Sequence, residues 1–93
     1  MVIGVLHMDF SIPGSRSLKD KRRAMKSLKE RMRGKFNCSV AEVDFKDSWG
    51  RSRLAVCVVS DDSAHANTQL NEIARFSAGH HLAFLEHYEI EML

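Results

Sequence analysis

Residues 15–35 read SRSLKDKRRAMKSLKERMRGK and carry ten of the chain's fourteen Lys and Arg residues against two acids, Asp20 and Glu30. Cations at that density suit an anionic partner, and the stripe by itself does not distinguish RNA from an acidic protein or a lipid headgroup. Just ahead of them, Gly14-Ser15-Arg16-Ser17 leads into a helix start, where free N–H groups, the helix dipole, Arg16 and Lys19 suit a single phosphate. A third group has the residue types of acid–base or metal chemistry: His7 and His87 with Asp9, Glu42, Asp44, Glu89 and Glu91. No HExxH or CxxC spacing supports a metal there, and none is expected. His80-His81 reads as an exposed loop pair and His65 as a first-turn helix residue. The chain lacks G-x-S-x-G and any Cys/His nucleophile arrangement, and no motif implies a cofactor. These residues point to a binding module more than to an enzyme.

The elements that must position them follow from periodicity. In VIGVLHMDFSI (2–12) the even positions Val2, Leu6, Met8, Phe10 and Ile12 are apolar, which predicts a strand stopped by Pro13-Gly14. Ser17 followed by Asp20 resembles a capping box, so a helix should run from Leu18 to about Arg33 and close at Gly34. With Arg22 at zero and about 100° per residue, Leu18, Met25, Leu28, Met32 and Phe36 share an arc centred near −80°. Arg22, Lys26, Lys29 and Arg33 fall within about 40° of Arg22 beside that arc, and Lys19 adjoins them. Arg23 lies further round. CSVAEVDFKD (38–47) alternates, with Ala41, Val43 and Phe45 opposite Glu42, Asp44 and Lys46. Ser48-Trp49-Gly50 is a turn, and RLAVCVVS (53–60), apolar on both faces, is a central strand. Asp61, Asp62 and Ser63 offer caps for a second helix with Ala66, Leu70, Ile73, Ala74 and Ser77 on one face, ending near Gly79. A last strand spans 82–92.

The order βαββαβ predicts a ferredoxin-like α+β fold over residues 1–93 as a single domain, a four-stranded antiparallel sheet with both helices on one face. The other face should then carry His7, Asp9, Glu42, Asp44, Glu89 and Glu91. That face is acidic and without exposed aromatics, unlike sheets that stack RNA bases. Any nucleic acid should meet the first helix instead. Trp49, at a hairpin tip, is a candidate partner anchor. Cys38 and Cys57, about four residues out of register if the hairpin turns near Trp49-Gly50, should both be free thiols.

The net charge of +2 hides a division. Residues 1–35 hold ten bases and three acids, residues 36–93 four bases and nine acids, hence +7 and −5. No apolar run approaches the roughly 20 residues of a membrane span, and the N-terminus lacks a secretory pattern, so a cytoplasmic setting is expected.

Beyond periodicity, the chain resembles the YlxP-like family of small bacterial proteins. The resemblance rests on Met1-Val2-Ile3-Gly4-Val5-Leu6, Ser17-Leu18-Lys19-Asp20-Lys21-Arg22, Phe36-Asn37, Ser39-Val40-Ala41-Glu42-Val43-Asp44, Asp47-x-Trp49, Val58-Val59-Ser60 and Tyr88-Glu89-Ile90-Glu91. It implies a ferredoxin-like fold and no established activity. Genes of the family often lie beside those for translation initiation and ribosome maturation, which tilts the polyanion towards ribosomal RNA. The chain departs from the family at His7, Gly50 and Cys38, where an acid, a Gln and an aliphatic residue are expected.

The leading expectation is a module that docks structured RNA or the ribosome through Arg22, Lys26, Lys29 and Arg33, with Arg16, Lys19 and Arg23 beside them. One alternative is a homodimeric structural or regulatory domain with a small-ligand site between subunits. Another, by analogy of fold alone, is an acylphosphatase-like enzyme with Arg16 holding phosphate in the loop after the first strand.

Overall fold

Alternation places the even residues of β1 (Val2–Ser11) inward, and Leu6, Met8 and Phe10 are buried, as is Ile12 just beyond. A computed structural model describes all 93 residues. After β1 come α1 (Leu18–Lys35), β2 (Ser39–Asp44), β3 (Arg51–Ser60), α2 (Ser63–Ala78) and β4 (Phe84–Met92). The sheet order is β2-β3-β1-β4, with every neighbouring pair antiparallel. Both helices contribute to one cluster of 17 buried apolar residues on the even side of β1 and β3. This is the ferredoxin-like α+β fold. No helix is long and apolar enough to cross a membrane.

Each helix begins where its side chains can satisfy free N–H groups. Ser17 Oγ accepts from Asp20 N at 3.1 Å, and Asp62 Oδ2 accepts from His65 N at 3.2 Å. The inward face of α2 is Ala66, Leu70, Ile73, Ala74 and Ser77, and Gly79 ends it, both as expected. The packing of α2 on the sheet is close at Gly4, where a Cβ would come within 2.7 Å of Leu70 Cδ1. Helix α1 runs past Gly34, contrary to expectation. Its end is set by Phe36, which turns extended and packs edge-on against Phe76 with ring centroids 5.6 Å apart.

Inside α1 lies the fold's least expected residue. Lys21, counted by composition among the free cations, is fully buried. Its Nζ donates to Glu42 Oε2 at 2.8 Å, to the Phe45 carbonyl at 2.9 Å and to the Arg51 carbonyl at 3.2 Å. Three acceptors match the three protons of an ammonium group. Ser52 Oγ completes the site by donating to Glu42 Oε2 at 2.5 Å.

That ammonium corrects the reading of β2. Glu42, expected on the free face, points with Val40 towards the helices, while Ala41 is exposed on the other side. A bulge at Val43 then returns Asp44 to the free face, opposite Arg53. The chain next takes a positive φ of 61° at Phe45, which turns that residue's carbonyl to Lys21. Asp44 Oδ1 accepts from Phe45 N at 2.7 Å and supports the turn. A non-glycine residue in this region costs on the order of 1–2 kcal/mol, which the ammonium contact and local hydrogen bonds offset.

The hairpin register also revises the cysteine argument. Ser39 pairs with Cys57, so Cys38 is one position out of register, not four, because the loop is centred near Ser48. Neighbouring positions point to opposite faces. Cys38 packs against the core, Cys57 lies on the free face, and both are free thiols.

His80 is a further correction: it is buried, while His81 is exposed. Its Nδ1 accepts from both Leu82 N and Ala83 N at 3.2 Å, so the ring proton is on Nε2. Nε2 donates to Ser27 Oγ on α1 at 3.4 Å. The imidazole thus folds the α2–β4 loop around itself.

Two predictions come from these buried groups. Lys21→Met should lower the unfolding free energy by about 2–4 kcal/mol, because it leaves Glu42 and two carbonyls without their cation. Lys21→Met with Glu42→Gln should recover part of that loss in urea titrations. The second prediction concerns pH. Burial pushes the Glu42 carboxyl up, but hydrogen bonds from Lys21 and Ser52 and the charges of Lys21 and Lys29 hold it below its ordinary value of 4.5. Its contribution is therefore complete above 4.5 and vanishes as pH falls through the lower folded value. Burial, then His81 and Arg31, lower the pKa of His80, so the unfolded chain takes up that proton first. Stability should start to decline once pH drops below the ordinary histidine value of 6.5, well before the acid step. His80→Gln should flatten the first decline and leave the second.

Candidate nucleic-acid interface

The inward face of α1 is Lys21, Ala24, Met25, Leu28 and Met32. Everything cationic except Lys21 is thereby turned outward or to the flanks. Arg16, Lys19, Arg22, Arg23, Lys26 and Arg33 are exposed, and Lys29 is half-buried. The cost is small. Like charges at i, i+4 oppose the helix by a few tenths of a kcal/mol each, while burying Leu28 alone contributes about 1.5–3 kcal/mol. Packing wins, and the helix can carry the charge.

The stripe expected beside the apolar arc lies over the β2 edge of the sheet. Arg33 Nη2 donates to the Val40 carbonyl at 2.9 Å, an anchor that sequence spacing does not reveal. Lys29 lies near enough to Glu42 to help hold that carboxylate ionised. Lys26 faces Glu30 at 3.9 Å with both side chains exposed, a contact worth well under about 1 kcal/mol. Arg22, Lys19 and Arg23 form no ion pair. The outer face of α1 thus presents cations whose charge is unneutralised.

The loop before α1 is built differently from an open phosphate cradle. Arg16 N donates to Asp20 Oδ2 at 3.0 Å while Asp20 N donates to Ser17 Oγ, a reciprocal capping arrangement. It sets a carboxylate over the helix N-terminus, where the dipole favours negative charge. Ser17 and Asp20 were legible as a cap; that the carboxylate spends the Arg16 N–H was not.

On the free sheet face the acids are paired. Arg53 donates to Asp9 Oδ1 at 2.6 Å and to Asp44 Oδ2 at 3.3 Å, and it is the Arg53 hydrogen bond above all that lowers the Asp9 pKa. His7 meets Glu91 at 3.1 Å, and His87 meets Glu89 at 3.0 Å. His7 and His87 share this face but sit diagonally, since His7 pairs with Glu89 and Asp9 with His87. Sequence reasoning missed Arg53, although its odd position on β3 carried the signal. It also missed Phe84. A bulge between Asp9 and Phe10 pairings leaves Phe84 opposite Ser11, so this exposed ring reaches the rim of a face expected to lack one. The Arg51 guanidinium stacks 4.2 Å from the Phe45 ring centroid nearby. Trp49 is 57% exposed at the hairpin tip.

Residues 3–90 match the family model described as "Protein of unknown function (DUF503)". The chain is also similar to the protein named "Uncharacterized protein YlxP" of Bacillus subtilis (strain 168). The two are 29% identical over 75 residues, which cover 81% of this chain and 82% of that protein.

Proposed function

The chain belongs to the DUF503 family, a family of unknown function, and within it we propose that this protein is a cytoplasmic binding module that docks structured RNA, ribosomal RNA in particular, through the basic face of α1. The observation that carries the reading is the row Arg22, Lys26, Lys29 and Arg33, on a helix whose one outward ion pair is the weak, exposed 3.9 Å contact of Lys26 with Glu30. Lys19 and Arg23 widen the row on the outer face, and Arg16 extends it at the helix start. Arg33 is already tethered to the sheet edge, so part of its ordering cost is met before binding. A rigid helix bearing spaced cations reads backbone shape, not base sequence.

A homodimer is the second reading. It draws on Val59, 67% exposed on the free face of β3, and on Val43, 51% exposed at the bulge. Sedimentation at micromolar concentration separates the two, since a monomer removes the second reading.

The test of the first is binding to purified ribosomal subunits and to total RNA across a salt series. About four phosphate contacts should give a slope of log K against log salt near −3, at roughly 0.7–0.9 per contact. Lys26→Glu/Lys29→Glu, with its fold confirmed, should weaken binding at least about tenfold and bring the slope to roughly −1.5. Salt-insensitive binding, or full affinity in the double variant, would contradict the proposal.

A further inference from the structure

The opposite flank of α1 carries a separate constellation. Between α1 and α2 lies a crevice of about 320 Å³ lined by Leu28, Arg31, Arg75, Phe76, Gly79 and His80. Arg31 and Arg75 come from different helices, both are exposed, and neither forms an ion pair. Glu72, further along the same groove beside Arg75, is likewise unpaired.

His80, on the crevice wall, offers an anion no competing acceptor. Two backbone N–H groups occupy Nδ1, so the imidazole faces Ser27 with Nε2–H, a donor. The polar groups that α1 and α2 bring to the crevice wall are thus two guanidinium forks, both able to donate. The C-terminal end of α2 borders the crevice and opposes an anion, but Gly79 N takes the Phe76 carbonyl and His80 N the Ser77 carbonyl. Arg75 in the last turn offsets the remaining dipole. Guanidinium groups prefer planar, bidentate oxyanions, phosphate above all.

We propose that the crevice between α1 and α2 binds a phosphate group, held by Arg31 and Arg75. Its volume exceeds that of a phosphate, and the apolar walls of Leu28 and Phe76 leave space for the organic part of a phosphomonoester. The site is distinct from the RNA-docking row, which uses the β2 flank of the same helix.

The experiment is a titration with inorganic phosphate at constant ionic strength, followed by amide and side-chain NMR of the full chain, with chloride as the reference anion. Saturable shifts at Arg31, Arg75, Phe76 and His80 are expected. Arg31→Gln/Arg75→Gln should weaken binding at least about tenfold, the scale of losing charge-assisted hydrogen bonds. Both arginines are exposed, so the variant keeps the fold. Lys26→Glu/Lys29→Glu should bind phosphate as the parent does, which separates failure here from failure of the RNA reading. Displacement of phosphate by RNA would identify the source as a nucleic-acid backbone; unaltered RNA affinity at saturating phosphate would identify a small phosphorylated ligand. Shifts that never saturate and that chloride reproduces, or full affinity in the arginine double variant, would overturn the assignment.

Discussion

An ammonium group buried without acceptors would cost many kcal/mol. Lys21 is buried entirely, and much of the structure around it follows from the need to surround Nζ with oxygen. Glu42 turns inward to meet it, which sets the register of β2 against the helices. The Phe45 carbonyl reaches it through a positive φ, and the Arg51 carbonyl through the start of β3. One cation therefore joins α1 to both arms of the β2–β3 hairpin. It also fixes the rotation of α1 about its axis, so the remaining bases of the helix must face outward or sideways.

That rotation divides the helix's charge into separate environments. On the β2 flank, Lys29 and Arg33 lie against the sheet edge, Arg33 bonded to Val40 and Lys29 near Glu42. On the α2 flank, Arg31 borders the crevice with Arg75, and Lys35 lies 4.9 Å from the Phe76 ring centroid. The acids that balance the chain's total charge are elsewhere, many of them on the free sheet face and paired there with Arg53 or histidines. A small net charge of +2 thus coexists with a strongly polar molecule.

Local pattern was enough for everything that depends on local pattern. The element order, the inward parity of β1, the central place of β3 and the buried face of α2 were legible because each rests on short-range periodicity. What was not legible depends on partners distant in sequence. Lys21 lies about 100° behind Arg22, inside the apolar arc by position alone, yet its residue type argued for the surface. Glu42 is its counterpart and failed for the same reason. A bulge moved Phe84 across the sheet, and no alternation rule locates a bulge; Asp44 lies on the free face, as expected, because the bulge at Val43 offsets the inward turn of Glu42. His80 looked exposed in a polar loop until Leu82 and Ala83 supplied donors to its ring. At the site, the exposure of Arg22, Lys26 and Arg33 was readable from angles, whereas the Arg33–Val40 tether and the Arg31–Arg75 pairing needed the tertiary structure.

The central claim is that a buried lysine orients a helix whose other cations meet RNA. Lysine acetylation rates, measured residue by residue with and without ribosomal RNA at low salt, test it most directly. Lys21 should be inert in both conditions, Lys19, Lys26 and Lys29 should be protected by RNA, and Lys46 should not. A reactive Lys21, or protection confined to Lys46, would contradict the account.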